Sequence, residues 1–402
     1  MIGNFLNEEI VKERKLPSLN QAASNRIVRI AQALVKSGGK VVVLSGASTM
    51  RLRFDRCLIH PSKEFSIGGV TIVFSAIVAV PFLSFLCEPL FLLVKTIKTG
   101  LRKRPDLVIM YNYYPATILA GFMAKVFFRS RVILDIEDVC TPRLIDWIGR
   151  GDGRPAQQLL GRFLMQLGIA FSDRVMVPSQ RFTQSAGLKH PPIVVTGCID
   201  IAEKRSLRSK KSDEPIMILI SGKLDAEQGV DLVLDAICAF TTKGIPPRAL
   251  HFHLCGFSDN PSLLTKRITD ATEQGAVIVF HGCVSAPEYE HLLWRTDACV
   301  AMQNPHGRHG REKTPSKVYE YLAHGKIVIA TDVGDFGQLP NDVIHLCDYD
   351  EIRLSECFSD LSINWEDWSC MGHRAAEHAE AEFGFASVGK KIQASVMMEE
   401  LS

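Results

Sequence analysis

Short apolar runs alternate with segments of helical spacing along most of this chain of 402 residues. Between Ala22 and Lys36 the apolar residues Ile27, Ile30, Ala31 and Leu34 mark one helical face, and Gly38-Gly39 closes the segment. Lys40-Val-Val-Val-Leu44 then reads as a strand buried on both faces, since it is β-branched and has no polar alternation. Val70–Phe74, Leu107–Met110, Arg131–Asp135 and Arg174–Val177 read the same way. Helices are predicted from Phe82 to about Lys98, Pro115 to about Phe127 and about Gln157 to Ala170. The pattern pauses at Ile201 to Glu214, a polar, basic stretch with no apolar face, read as a connection between domains. It resumes with strands at Ile216–Ile220, Leu250–Leu254, Ala276–Phe280, Ala298–Ala301 and Ile327–Ala330. Such alternation predicts an α/β protein with two doubly wound parallel sheets. The expected domains are residues 1–200 and 215–375, joined by a linker at 201–214, with a helical segment at 376–402 packing back on the first domain. A ligand is expected in the cleft between the two domains.

Composition narrows the class. Hydrophobic content of 47% and charged content of 22% belong to a globular chain, and its length favours two cores over one. The net charge of +2 offers no case for nucleic acid, although basic residues cluster at Lys95 to Arg104, at Lys204 to Lys211 and at Arg308 to Lys317. These runs are scattered and lack interleaved aromatics, so no nucleic-acid partner is expected. The 11 cysteines are odd in number and contain no C-x-x-C pair, which reads as reduced packing residues of a cytosolic protein, with neither a disulfide framework nor a zinc site. Met1-Ile-Gly-Asn-Phe-Leu6 has no charged region ahead of an apolar core, so it reads as the end of a first strand, not a signal peptide. Val70 to Val94 is the most apolar stretch, but Pro81, Glu88 and Pro89 interrupt it. It is therefore divided into a strand and a helix that runs into a basic end. That helix is either a core helix or an interfacial segment against anionic lipid.

Open α/β sheets bind ligands beyond the carboxyl ends of their strands. The first such loop of the second half is Ser221-Gly222-Lys223-Leu-Asp-Ala-Glu-Gln228-Gly229, where the backbone allows close approach and Lys223 can reach a phosphate. Gly256-Phe-Ser-Asp259 and His281-Gly282-Cys-Val-Ser285 follow the next two strands. Met302-Gln-Asn-Pro-His306-Gly-Arg308-His309-Gly-Arg311 follows Val300 and fits either an anion-binding loop or a solvated one. It leads into Glu312-Lys-Thr-Pro-Ser-Lys-Val-Tyr-Glu320, two carboxylates with seven residues between them. Thr314 is expected as the N-cap and Pro315 as the first helical residue, with Val318 and Leu322 buried and Gly325 as the stop. Free N–H groups at the helix start suit phosphate, and the two acids suit hydroxyls. The plainer alternative is a capped helix with two solvated carboxylates.

Taken together, three segments occur in the order and spacing of one family. They are Ser221-Gly-Lys-Leu-Asp-Ala-Glu-Gln-Gly-Val-Asp-Leu-Val-Leu234, Phe280-His-Gly-Cys-Val284, and Glu312 to Glu320 continued by Tyr-Leu-Ala-His-Gly-Lys-Ile-Val-Ile-Ala-Thr331. The chain resembles the retaining glycosyltransferases of the GT-B fold, family 4, the glycosyl transferases group 1. Arg104-Pro-Asp-Leu-Val-Ile-Met-Tyr-Asn112 and Val132-Ile-Leu-Asp-Ile-Glu-Asp138 resemble the acceptor domain of that family more loosely. The resemblance implies two Rossmann-like domains facing a cleft, with a C-terminal helix crossing back. It implies that Glu320 binds the ribose of a nucleotide-diphosphate sugar, that Glu312 contacts the transferred sugar and that Lys223 neutralises the diphosphate. Ser316, Lys317, Gly222, Gly282 and Arg311 would complete the donor site, and Glu137 and Asp138 join Glu312 and Lys223 as catalytic candidates. The leaving group gains charge during transfer, so fixed cations suffice, and neither a metal nor a resident cofactor is implied.

Three departures from the family pattern stand out. Gln228 occupies the place of a second cation, with Lys317 or Arg311 as possible compensation. Glu137-Asp138 stands where a histidine is common, and either binds sugar hydroxyls or caps the next turn. Leu16-Pro-Ser-Leu-Asn-Gln-Ala-Ala-Ser24-Asn-Arg26 replaces a glycine-rich loop, leaving Ser24 and Arg26 as cleft residues or Arg26 as an exposed helix residue. The expected activity is transfer of a sugar, with retention, to a glycan or lipid-linked acceptor in cell-surface polysaccharide synthesis. The expected location is cytoplasmic, peripheral at the inner face of the membrane. The alternatives are a non-catalytic nucleotide-sugar-binding partner protein and a GT-B sugar-nucleotide epimerase.

Overall fold

The computed structural model describes residues 1–16, 21–46, 59–80, 83–137, 155–186, 188, 191–201, 214–244, 248–307, 310–312 and 314–397. The chain divides into two compact units. One comprises Met1–Pro178, Thr183–Asp200 and Phe385–Ser402, and the other Ser179–Phe182 and Ile201–Gly384. Most of the polar connection read at 201–214 lies outside the described residues.

Among the described residues the first unit has ten strands: β1 (Ile2–Gly3), β2 (Val42–Ser45), β3 (Ile59–His60), β4 (Lys63–Ile67), β5 (Val70–Phe74), β6 (Ile77–Val78), β7 (Leu107–Tyr111), β8 (Arg131–Asp135), β9 (Arg174–Val177) and β10 (Ile193–Val194). Eight of them make one sheet in the order β10-β9-β8-β7-β1-β2-β5-β4, while β3 and β6 pair separately. Strand β4 runs antiparallel to its neighbour β5, and the other pairings described in that sheet are parallel. The sequence pattern follows from this position. Val108–Tyr111 and Val132–Asp135 are buried throughout, as parallel strands covered on both faces must be, whereas edge strand β4 alternates between half-buried and exposed positions.

Helix Gln21–Lys36 buries the face its spacing announced, with Ile27, Ile30 and Ala31 fully enclosed. The C-terminal helix Phe385–Met397 packs on that helix and adds Phe385, Val388 and Ile392 to its core. Gly389 makes this approach possible, because a Cβ there would lie 2.2 Å from the Ala33 carbonyl oxygen. The apolar stretch from Val70 resolves into β5 and the helix Leu83–Arg102. No helix among the described residues is long and apolar enough to cross a membrane.

The second unit has β11 (Ile216–Lys223), β12 (Leu250–Phe257), β13 (Val277–Gly282), β14 (Ala298–Ala301), β15 (Ile327–Ala330) and β16 (His345–Leu346). They form one parallel sheet in the order β13-β12-β11-β14-β15-β16. The order of the strands along the chain reverses between β11 and β14, the switch point beyond whose carboxyl ends such sheets bind ligands. One core cluster spans Ile216, Phe240, Phe252 and Phe358, where the Phe252 and Phe358 rings meet edge to face at 5.2 Å.

Strands β11 and β12 run three residues beyond the apolar runs read in the sequence, through Ser221-Gly222-Lys223 and Cys255-Gly256-Phe257. Glycine lowers strand propensity, which hid the extension. Here Gly222 and Gly256 are register partners, and Gly256 adopts φ +142° with its missing Cβ only 1.7 Å from the Gly222 carbonyl oxygen. No side chain fits there without parting the two strands. Gly256→Ala is therefore expected to destabilise the protein by about 3 kcal/mol or more. Gly244→Ala has a positive φ but open space around the new methyl, and should cost about 1 kcal/mol. Thermal melts followed by circular dichroism compare the two; equal melting temperatures would contradict the packing argument.

Candidate functional site

The carboxyl ends of β11 and β14 are laced together by backbone. The Glu227 carbonyl accepts from Asn304 N–H at 2.9 Å and from Gln303 Nε2 at 2.9 Å. Gly229 caps helix Val230–Thr241 at φ +75°, so close to Met302 that a Cβ would lie 1.8 Å from its carbonyl oxygen. The glycine following Gln228 is thus demanded by the crossing of two loops. Gln228 itself donates its N–H to Asp225 at 2.9 Å.

Lys223 ends β11 and pairs with two carboxylates, Asp225 at 2.8 Å and Asp259 at 2.7 Å. Hydrogen bonds to Asp225 and then Asp259 raise its pKa above the ordinary lysine value. Asp225 comes from the same loop and Asp259 from the loop after the neighbouring strand β12, so parallel pairing brings them to one lysine. Sequence reading did not single out these acids. Their signal was positional: each follows a strand end that the sheet order sets side by side.

Helix Ser316–Ala323 faces this lysine loop. Pro315, not Thr314, takes the N-cap position and Ser316 is the first helical residue, one place later than expected. Pro315 has ψ of 106°, outside the helical range, and its ring offers no side-chain cap. Lys317 reaches back and donates from Nζ to the Ser221 carbonyl at 2.8 Å. One turn later Tyr321 places its hydroxyl 2.7 Å from Ser221 Oγ, and the Tyr289 hydroxyl stands 3.3 Å from the same oxygen. Burial raises both tyrosine pKa values, and the charge of Glu320 raises them further. Glu320 is half-buried.

The structure thus brings Gly222, Lys317 and Tyr321 to the end of β11, which Lys223 closes; the charge of Glu320, one position before Tyr321, acts on the two tyrosine hydroxyls, and Ser316, first in the helix, is exposed. Gly282 closes the edge strand β13, on the far side of β12 from β11, at φ +64°. Arg311 is exposed, and its carbonyl accepts from Gly334 N–H at 2.6 Å. Glu312 ends a short 3-10 turn, Gly310–Glu312. Arg308, His309 and Lys313 lie outside the described residues, as does Asp138.

The first unit has a polar cluster of its own at the ends of β7 and β8. Arg26 clamps the buried Asp135 through Nε at 3.0 Å and Nη2 at 2.7 Å, and gives a third hydrogen bond to the Val195 carbonyl at 3.2 Å. Arg26 is therefore not an exposed helix residue. Ser24 is buried as well and accepts from Leu6 N–H at 3.1 Å. Glu137 accepts from the Tyr111 hydroxyl, and its N–H donates to Asn112 Oδ1 at 2.9 Å. Asn112 makes this contact from a left-handed backbone of φ +53°. Burial, and next the Glu137 charge, raise the Tyr111 pKa. Among the described residues, no group of three or more His, Cys, Asp and Glu side chains has a geometry that could hold a metal ion.

Residues 215–351 match the family described as Glycosyl transferases group 1. That is about a third of the chain, and it is the segment that contains the β11 loop and helix Ser316–Ala323. No curated protein matches the chain in sequence. Among solved structures, HepE of Anabaena, in complex with UDP and glucose, has a TM-score of 0.60 at 14% identity, covering 93% of this chain and 95% of that one. Sucrose-phosphate synthase of Thermosynechococcus elongatus has a TM-score of 0.61 at 15% identity, covering 94% of each chain. A candidate UDP-N-acetylglucosamine 2-epimerase of Listeria monocytogenes has a TM-score of 0.55 at 12% identity, covering 99% of this chain and 95% of that one. At these identities the likeness shows the fold alone. The fold is GT-B, with two Rossmann-like units.

The Arg26–Asp135 pair yields a test of the first-unit cluster. Arg26→Ala leaves a buried carboxylate without its cation, and should cost about 3–5 kcal/mol. Arg26→Lys loses the forked geometry and should recover only part of it. Urea unfolding of both variants measures this, and an unchanged Arg26→Ala midpoint would show that the pair is dispensable.

Proposed function

We propose that the protein is a glycosyltransferase that moves a sugar from a nucleotide-diphosphate donor to a glycan or lipid-linked acceptor, with retained configuration. The observation that carries this reading is the convergence of Gly222, Lys317 and Tyr321 at the end of β11, with the Glu320 charge acting on the Tyr321 and Tyr289 hydroxyls there, inside the segment that matches the family. Glu320 accepts the ribose hydroxyls. Lys223 and Lys317 face the diphosphate, with the N–H groups around Ser316 assisting, so the leaving charge grows against fixed cations and no metal or resident cofactor is needed. Gly222 and Gly282 leave room for the donor beside the backbone, and Arg311 adds positive charge. Glu312 reads the transferred sugar. That HepE is solved with UDP and glucose supports a donor of this class.

Incubation with a panel of nucleotide-diphosphate sugars should raise the melting temperature and release free sugar slowly. Glu320→Gln should weaken donor binding about ten- to a hundredfold, the weight of a hydrogen bond to a charged group. An epimerase would instead interconvert the donor sugar without an acceptor, and a non-catalytic binder would show the thermal shift without products. If Glu320→Gln bound and turned over donor like the parent, the donor assignment would be wrong.

The acceptor side of the reading rests on an exposed apolar surface of the first unit. Helix Pro115–Phe128 packs against both Leu83–Arg102 and Pro155–Phe171, with Phe122 and Phe171 edge to face at 5.7 Å. Leu90, Leu101, Phe127, Leu159 and Phe163 stand exposed on these helices, Leu101 at 75% and Phe163 at 63%. The three helices contain a single acidic residue, Glu88, against Lys95, Lys98, Arg102 and Arg162, while Lys125 is paired with Asp173. An apolar surface with a cationic fringe suits an anionic bilayer, consistent with a peripheral protein at the cytoplasmic face acting in cell-surface polysaccharide synthesis. The protein should sediment with vesicles containing phosphatidylglycerol and be released by salt, but ignore pure phosphatidylcholine. Leu101→Asp with Phe163→Asp should abolish sedimentation. Protein that stays in the supernatant at low salt would exclude this surface.

A further inference from the structure

Two cysteines outside the donor site lie against one histidine. His345 belongs to β16, Cys347 follows that strand, and Cys357 is in the middle of helix Glu351–Ile363. All three line a cavity of about 280 Å³. Cys357 Sγ is 3.3 Å from His345 Nε2 and within hydrogen-bond reach of the Cys347 thiol, which also lies 3.4 Å from the Asp348 carbonyl. The imidazole is fixed by the Trp368 ring at 4.6 Å, and Trp368 is tied in turn to Asp360 by its indole N–H at 2.7 Å.

These thiols differ from the other buried cysteines. Burial raises the pKa of Cys255 and Cys299, as it does for an inert packing residue. For Cys357 the hydrogen bond from Cys347 and the His345 imidazole outweigh burial and lower the pKa, while Cys347 is raised. Cys357 is also partly exposed, whereas Cys347 is buried. One thiol is thus accessible and stabilised as the anion, and the second lies directly behind it. That is the arrangement of an attacking and a resolving cysteine.

We propose that Cys357 and Cys347 form a reversible thiol–disulfide pair whose oxidant is a low-molecular-weight disulfide. The Cys357 proton passes to His345, and the thiolate attacks one sulfur of the incoming disulfide. A mixed disulfide forms on Cys357 and one thiolate leaves. Cys347 then attacks Cys357 Sγ, its proton going to the second departing thiolate. The two cysteines lose two electrons and two protons in total, and the small disulfide becomes two thiols. The bond ties the loop after β16 to helix Glu351–Ile363.

The test uses the whole reduced protein equilibrated with oxidised glutathione, then alkylated and digested with trypsin, which cuts at Arg353 between the two cysteines. A peptide pair joined through Cys347 and Cys357, and lost on treatment with dithiothreitol, is the expected result. Cys347→Ala should trap Cys357 as its glutathione adduct. His345→Gln should slow formation of that adduct about five- to tenfold by reducing the thiolate fraction. If both cysteines stay alkylatable while the exposed Cys283 forms an adduct, the pair is not reactive and the proposal fails. A Cys357 adduct that persists in the parent protein would overturn the resolving role of Cys347.

Discussion

Ser221 is gripped twice by one helix, through its carbonyl by Lys317 and through its hydroxyl by Tyr321. These two residues are four apart, so they lie on one helical face, and together they fix both the rotation and the height of the helix against β11. The backbone position of Glu320 is set by that grip. This residue precedes Tyr321 by one position and must project about 100° around the axis from it, alongside the end of the strand. The rest of the second-unit site follows from the same contact. Gly222 comes next to the gripped residue, Lys223 one place further, and the sheet order supplies Asp259 from the adjoining strand.

The first unit is organised around a different constraint. Asp135 is fully enclosed at the end of β8 and needs a cation, which comes from Arg26 on helix Gln21–Lys36. The guanidinium links that helix to two strand ends, since it also bonds the carbonyl of Val195, just after β10. A buried ion pair of this kind adds little net stability over a well-packed apolar pair, but breaking one side of it is costly. It holds Tyr111, Asn112 and Glu137 in a common polar cluster next to Asp135.

Much of this was legible in the sequence, and the gaps have physical causes. Buried parallel strands show as short β-branched apolar runs bounded by turn residues, and β7, β8, β14 and β15 lie on such runs. The helix at Ser316 was visible from Thr-Pro-Ser and Gly325, but its start shifted by one residue because Pro315 keeps extended ψ. The extension of β11 and β12 was hidden by glycines, which are there for close backbone approach and carry no strand signal. Arg26 was ambiguous for a simpler reason: its partner is 109 residues away, and no local pattern reports a long-range ion pair. The thiol pair was invisible for the same reason, since cysteine spacing across a strand and a helix resembles no metal or redox motif.

The two carboxylates on Lys223 carry a consequence for how the site selects its contents. The lysine already faces two negative charges, those of Asp225 and Asp259. A ligand that takes this lysine therefore enters by exchange, and its binding reflects a contest between two sets of anions. A neutral sugar has nothing to offer in that exchange, and a single negative charge replaces only half of what it displaces. A diphosphate can replace both. Under the proposed donor reading, the aspartates act as placeholders that a diphosphate would displace.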